Sequence, residues 1–315
     1  MRKVLTILAL TGLLLAACAE DDPTVGGETG GAFPATGATG ETAPTGPTTA
    51  ATAADCATAN ADAFESAGTL TVATGTPAFP PWWEGGEVDG SEFEFNDPAK
   101  GQGYEGAVIA DLTSRLGFSF PDQVTFVPIG FNKSFAPGPK DFDFVLQQIS
   151  YLPERDEAVD FSESYYDAEQ AVVTTKGSPI DGATSIADLA DATLGAPIGT
   201  TSLAVIEDVI QPSVEPAVYD DLAGAIQDLK NGSIDGVVVD LPSAFFITAV
   251  QLDKGVIVGQ IPTEEVPEYF GMVFETGSPL VECVNLGLQE MKADGTLDAL
   301  EQEWLADATD VPVLT

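Results

Sequence analysis

Gly236-Val237-Val238-Val239-Asp240 decides the fold. Its three central residues are β-branched and apolar, and no polar residue alternates with them, so the run suits a strand covered on both faces. Upstream, Asp221–Lys230 carries Leu222, Ile226 and Leu229 at helical spacing and stops at Asn231-Gly232. Downstream, Ser243–Val250 reads as a second helix. A helix on each side of a doubly covered strand is the pattern of an α/β sheet. Asp240 ends the strand just before a helix, where α/β folds place their ligands.

The same alternation runs outward in both directions. Leu70–Thr74, Val124–Val127, Phe142–Leu146 and Thr193–Ala196 read as strands. Gly106–Leu116 reads as a helix with Val108, Ile109, Leu112 and Leu116 on one face. Gly199-Thr200-Thr201 leads into a helix over Ser202–Ile210. Ser278-Pro279 is a good cap and first position for a helix to about Lys292. Thr296–Leu305 closes the pattern, with Leu297, Leu300, Trp304 and Leu305 at helical spacing. No internal repeat is present. Ala171–Thr175 and Phe270–Phe274 are the candidates for two crossover strands between lobes. They predict one lobe over 56–173 plus 274–315 and a second, with its crossovers, over 174–273. Two such crossings make a hinge and a cleft.

The N-terminal stretch has a different logic. Arg2 and Lys3 precede an apolar run, Val4–Ala17, which falls short of the roughly 20 residues a bilayer span needs and fits a secretory signal. It ends in Leu15-Ala16-Ala17-Cys18, which resembles the bacterial lipobox, so Cys18 is expected to carry lipid. Residues 19–55 are rich in Thr, Gly, Ala and Pro, lack Lys and Arg, and read as a disordered tether. The body should then lie on the outer face of a membrane, as a monomer. With Cys18 used by lipid, Cys56 and Cys283 remain, and an exported compartment permits them to pair. Two free buried thiols are the alternative.

Composition excludes several function classes. Fifty acidic residues face eleven basic ones, for a net charge of −39, and such a surface repels nucleic acid and anionic lipid. There is no His, so neither a Ser-His-Asp triad nor a His-ligated metal is available. No cofactor or metal is implied. Gly101-Gln102-Gly103-Tyr104-Glu105-Gly106 spells GxGxxG, but it follows Asp97-Pro98 rather than a strand, so the nucleotide context is missing.

Several strings, in order, resemble the extracellular solute-binding proteins for polar amino acids (family 3). Leu70–Thr74 with Phe79-Pro80-Pro81-Trp82 resembles the family's first strand and aromatic-Pro-Pro-aromatic loop. Gly103-Tyr104-Glu105-Gly106 with Asp111-Leu112 resembles its first helix. Phe142–Ser150, Pro153-Glu154-Arg155, Val159-Asp160-Phe161-Ser162 and Tyr165-Tyr166 form the most diagnostic block. Gly199-Thr200-Thr201, Asp235–Asp240, Tyr269-Phe270-Gly271 and Asp294-Gly295-Thr296-Leu297 follow. The resemblance implies a two-lobed periplasmic-binding-protein-like type II fold that takes a free amino acid between its lobes and delivers it to the permease of an ABC importer.

A free amino acid carries a carboxylate and an ammonium on one carbon, and burying both requires a partner for each. Arg155 is the candidate cation, since a guanidinium grips a carboxylate with two parallel hydrogen bonds. A surface ion pair with Glu154, Asp156 or Glu157 is the competing use of that side chain. Asp240 is the candidate anion, with a plain helix cap as its competing role. Thr200 and Thr201 open a helix whose free N–H groups attract a carboxylate. The resemblance puts the Thr201 N–H on the ligand, and Ser150 against both charged groups. Gln148 offers a backbone carbonyl to the ammonium and a side chain to the ligand's far end. Phe79, Trp82 and Phe131 are the expected pocket aromatics. Gly75 stands about where binders of Lys, Arg and His carry an Asp, which leans the ligand toward a polar neutral or acidic amino acid. Gly85–Phe95 reads as an insertion beside the aromatic loop. The same fold also hosts secreted dehydratases, for which Glu84 is the candidate general acid. A ligand sensor for a separate signalling partner is the third possibility.

Overall fold

The computed structural model describes residues 51–262, 268–305 and 311–315. Residues 1–18 with Cys18, and the expected tether up to residue 50, lie outside the described residues. In chain order the first lobe is built from α1 (Ala53–Ala59), β1 (Leu70–Thr74), α2 (Tyr104–Arg115), β2 (Val124–Pro128), α3 (Phe131–Ser134), β3 (Phe144–Val145), α4 (Pro153–Asp156) and β4 (Asp160–Phe161). β5 (Tyr166–Ala168) carries the chain across. The second lobe holds β6 (Gln170–Thr175), β7 (Leu194–Pro197), α5 (Thr201–Ala204), β8 (Ala217–Tyr219), α6 (Leu222–Asn231), β9 (Gly236–Asp240), α7 (Leu241–Phe246) and β10 (Gly255–Gln260). β11 (Glu268–Phe270) returns to β12 (Val273–Phe274), α8 (Leu280–Ala293) and α9 (Thr296–Trp304).

The first sheet has the order β2-β1-β3-β12-β4 and the second β10-β6-β9-β7-β8. β9 sits inside its sheet, parallel to β7 and antiparallel to β6. That placement explains its triple Val. Val238 packs with Val172 and Leu194 on one face, and Val237 and Val239 pack with Ala225, Ile226 and Leu229 of α6 on the other. In the first lobe, Leu70 and Val72 of β1 pack under Val108, Ile109 and Leu112 of α2 and under Val284 and Leu288 of α8. A disulfide joins Cys56 of α1 to Cys283 of α8. A cross-link of this kind is worth about 2–5 kcal/mol.

Three boundaries differ from the sequence reading. The crossovers are not Ala171–Thr175 and Phe270–Phe274: β6 lies wholly within the second sheet, and the short antiparallel pair β5 and β11 forms the crossing. Phe270–Phe274 is broken at Gly271, whose N–H turns to Ile149 O at 3.0 Å. The tether ends earlier than residue 55, because Thr52 and Asp55 cap each other and start α1 at Ala53. Finally, 274–315 is not all first lobe. Val311–Thr315 packs on the second lobe, where Leu314 N donates to Gln260 O at 2.9 Å and Leu314 is 1% exposed. Gly259 makes room for it, since a Cβ there would lie 2.8 Å from Leu314.

The GxGxxG string has a packing reason. Gly103 has φ +83°, and a Cβ on it would lie 2.5 Å from Trp82 O, so the start of α2 can press against the Trp82-Trp83 backbone only with glycine there.

Candidate functional site

A cleft of about 320 Å³ opens between the lobes. From the first lobe come the loops after β1, β2 and β3, which contribute Phe79, Phe131, Gln148 and Ser150. From the second come the start of α5, with Thr200 and Thr201, and the end of β9, with Asp240. The strand ends and helix starts of both sheets therefore face one another, as α/β folds arrange their ligand sites.

Arg155 lies on α4 and is 7% exposed, with its guanidinium 4.4 Å from the Phe135 ring centre and 5.6 Å from that of Phe131. Among the described residues it joins none of the salt bridges, so the surface ion-pair use does not occur. Its fork grips two backbone carbonyls. Nη1 donates to Ser150 O at 2.6 Å and Nη2 crosses the cleft to Gly199 O at 2.8 Å. Burial pushes the guanidinium down to about 10, against the upward pull of Glu268 and Glu154. It remains charged at neutral pH.

The group facing that charge is a residue the sequence did not single out. Glu268, the first residue of β11, brings its carboxylate between the lobes, against three residues that line the cleft. It accepts hydrogen bonds from Ser150 Oγ, from Thr201 Oγ1 at 2.7 Å and from Gln170 Nε2 at 3.3 Å. The Ser150 and Thr201 hydroxyls lie 3.3 Å apart, one from each lobe. Donors from both lobes thus converge on one carboxylate. No sequence signal marks Glu268, because it is one acid among fifty.

Asp240 faces the cleft and caps α7, accepting from Ser243 N at 2.9 Å. Burial pushes its carboxyl up to about 6; Ser243 pulls it down and the Glu268 charge raises it further. The cap role and the cleft position therefore coexist. Thr200 lines the cleft, but its hydroxyl is engaged in capping, accepting from Leu203 N at 3.2 Å and donating to Pro197 O at 2.8 Å. It is left with backbone to offer.

Gln148 has φ +46°, and its side chain is engaged by Glu105. Its backbone N donates at 2.8 Å to Glu105, which also accepts from Gln148 Nε2 and from Tyr165 OH at 2.5 Å. Glu105 has 0% exposure on the first turn of α2, and burial pushes it up to about 7, with Tyr165 and Gln148 opposing. Gln147 faces the cleft beside Gly75. A Cβ on Gly75 would lie 2.4 Å from Gln147 Nε2, so this wall cannot carry an Asp at position 75 without moving Gln147.

Phe79 and Phe131 line the cleft, and Phe79 meets Phe95 at 5.3 Å. Trp82 does not line it. It is 1% exposed, packed on Tyr104, Tyr166 and Phe270, and its Nε1 donates to Ser243 Oγ at 3.0 Å, joining the two lobes beside the crossover. The aromatic-Pro-Pro-aromatic string does not say which ring turns outward. Glu84 pairs with Gln102 and is not among the described residues that line the cleft.

Known proteins share the family and the fold. A model of the family described as bacterial extracellular solute-binding proteins, family 3, matches residues 85–307. ABC transporter arginine-binding protein 1 of Escherichia coli (strain K12) is 32% identical over 205 residues, covering 62% of this chain and 79% of that protein. The L-cystine-binding protein TcyJ of the same strain is 28% identical over 217 residues, covering 68% of this chain and 78% of that protein. An ancestral arginine-binding protein bound to arginine superposes with a TM-score of 0.60 at 30% identity, covering 75% of this chain and 98% of the other. An ancestral amino acid-binding protein, a precursor of cyclohexadienyl dehydratase, gives 0.59 at 28% identity over 75% of this chain and 95% of the other.

Proposed function

The chain belongs to the bacterial extracellular solute-binding proteins, family 3, and from that premise we propose that it captures a free amino acid between its lobes for an ABC importer. The observation that carries this reading is the carboxylate seat: Ser150, Thr201 and Gln170 converge on a carboxylate beside Arg155, with Asp240 exposed to the same cleft. In the ligand-bound state the α-carboxylate takes the place of Glu268. The Thr201 N–H at the start of α5 adds a donor, and Asp240 receives the ammonium. Phe79 and Phe131 cover the side chain.

Closure follows from the division of the seat. Ser150 and Arg155 belong to one lobe, Thr201 and Asp240 to the other, so a ligand makes its full set of contacts only when the lobes meet. Arg155 to Gly199, Trp82 to Ser243 and Asn132 to Ile198 are among the hydrogen bonds that join the lobes. Gln147 over Gly75 offers an amide rather than an acid to the ligand side chain, which supports a polar neutral one. The closed form docks on a membrane permease, and lipid on Cys18 keeps the body at the outer face of the membrane, as a monomer. Among the described residues no helix is long and apolar enough to cross a membrane. A dehydratase finds less support, because Glu84 lies away from the cleft.

A thermal-shift screen of residues 51–315 against the common amino acids tests the reading. At least one should raise the melting temperature in a concentration-dependent way. A flat response to all of them overturns it.

A further inference from the structure

We propose that the cleft also accepts primary amines that lack a carboxylate, because Glu268 supplies that carboxylate from within the chain. The inference rests on the amino-acid reading above for the identity of the seat, and it adds a second ligand class to it.

Glu268 is not a passing neighbour of the seat. It starts the crossover strand β11, paired antiparallel with β5 at Ala168, so its backbone is fixed in the hinge. Its carboxylate already receives Ser150 from one lobe and Thr201 and Gln170 from the other. With Glu268 seated, the Ser150, Thr201 and Gln170 side chains that would grip a ligand's carboxylate are engaged. The negative charge of Glu268 balances that of Arg155, and Asp240, together with Asp220 and Asp221, is left as surplus negative charge lining the remaining cavity. A cavity with a surplus anion favours a cation. An amine enters, pairs with Asp240 and leaves Glu268 where it is. A zwitterion must first eject Glu268, whose carboxylate then needs new partners, and only afterwards gains the seat for its own carboxylate. The internal carboxylate therefore weakens amino acids and strengthens the corresponding amines. It narrows the gap between the two classes from both sides.

Calorimetric titration of matched pairs tests this on residues 51–315, with L-glutamine against 4-aminobutanamide and L-arginine against agmatine. For the better-bound pair, wild type should bind the amine within about tenfold of the amino acid. Glu268→Gln removes the charge at nearly constant shape. It should tighten the amino acid and weaken the amine, shifting their affinity ratio by about a hundredfold. Glu268→Ala should shift the ratio in the same direction, which covers the case in which the Gln variant does not fold. The proposal is overturned if wild type saturates with the amino acid while the amine gives no heat at a hundredfold excess, or if both variants leave the ratio unchanged. Amine binding without amino-acid binding keeps this inference and overturns the amino-acid reading. Binding of neither overturns both.

Discussion

The two walls of the cleft are built by opposite means. The first-lobe wall is braced from behind: Arg155 is wedged against Phe135, and the backbone of Gln148 is clamped by the fully buried Glu105. The second-lobe wall is a pair of helix starts, Thr200-Thr201 at α5 and Asp240 at α7, whose ligand-facing groups come from where a strand ends and a helix begins. One wall gains its geometry from long-range packing, the other from local chain direction. The braced wall owes its shape to its own lobe, apart from the Arg155 bond to Gly199. The helix-start wall completes the site when the lobes meet.

Breaking the braced wall should cost the most. Arg155→Ala removes the bonds to Ser150 and Gly199 together and leaves a buried carboxylate without a cation, so amino-acid binding should weaken by about 3–5 kcal/mol in calorimetry. Near-native affinity would remove Arg155 from the site. On the other wall, Asp240→Asn should cost about 1.5–3 kcal/mol, the range for a hydrogen bond to a charged group.

Asp240 also sharpens the contrast through pH. Its carboxyl is pushed up to about 6 by burial, so it takes a proton as the pH falls below that value. The protonated form cannot pair with an ammonium. Amino-acid affinity should therefore hold near pH 7 and fall below pH 6, by at most about tenfold per pH unit. Asp240→Asn should flatten this part of the profile; an unchanged slope would assign it to another group.

Glu105→Gln sets an amide N–H against the Gln148 donors and should cost about 1–3 kcal/mol of stability by chemical denaturation. The wild-type Glu105 has its own pH signature. Its pKa is raised in the folded state, to about 7, so the folded protein binds the extra proton between the ordinary Glu range and pH 7. That contribution to stability is present at low pH and is lost as the pH rises toward 7. The smallest effect is expected for Thr201→Val, which removes one hydroxyl donor and keeps the helix start, at about 1 kcal/mol in binding.

The same division governs what could be read from the sequence. Asp240 and Gly199-Thr200-Thr201 were legible because a strand end, a turn and a helix start are local patterns. Glu268 was not, because its role arises from a hinge strand that brings residue 268 against residues 150 and 201. The apolar run of β6 says that it is buried and not in which sheet, so it reads equally well as a crossover. Trp82 reads as a pocket ring because the Pro-Pro turn that orients it has no directional code. The docking of Leu314 on the second lobe depends on a gap over Gly259 that only the folded sheet creates.

A crystal structure of residues 51–315 with the best ligand from the thermal screen tests the central claim most directly. The expected result is an α-carboxylate within hydrogen-bond reach of Ser150 Oγ and Thr201 Oγ1, an ammonium on Asp240, and Glu268 turned out of the seat. An amino acid bound with its carboxylate elsewhere, while Glu268 keeps Ser150 and Thr201, would contradict it.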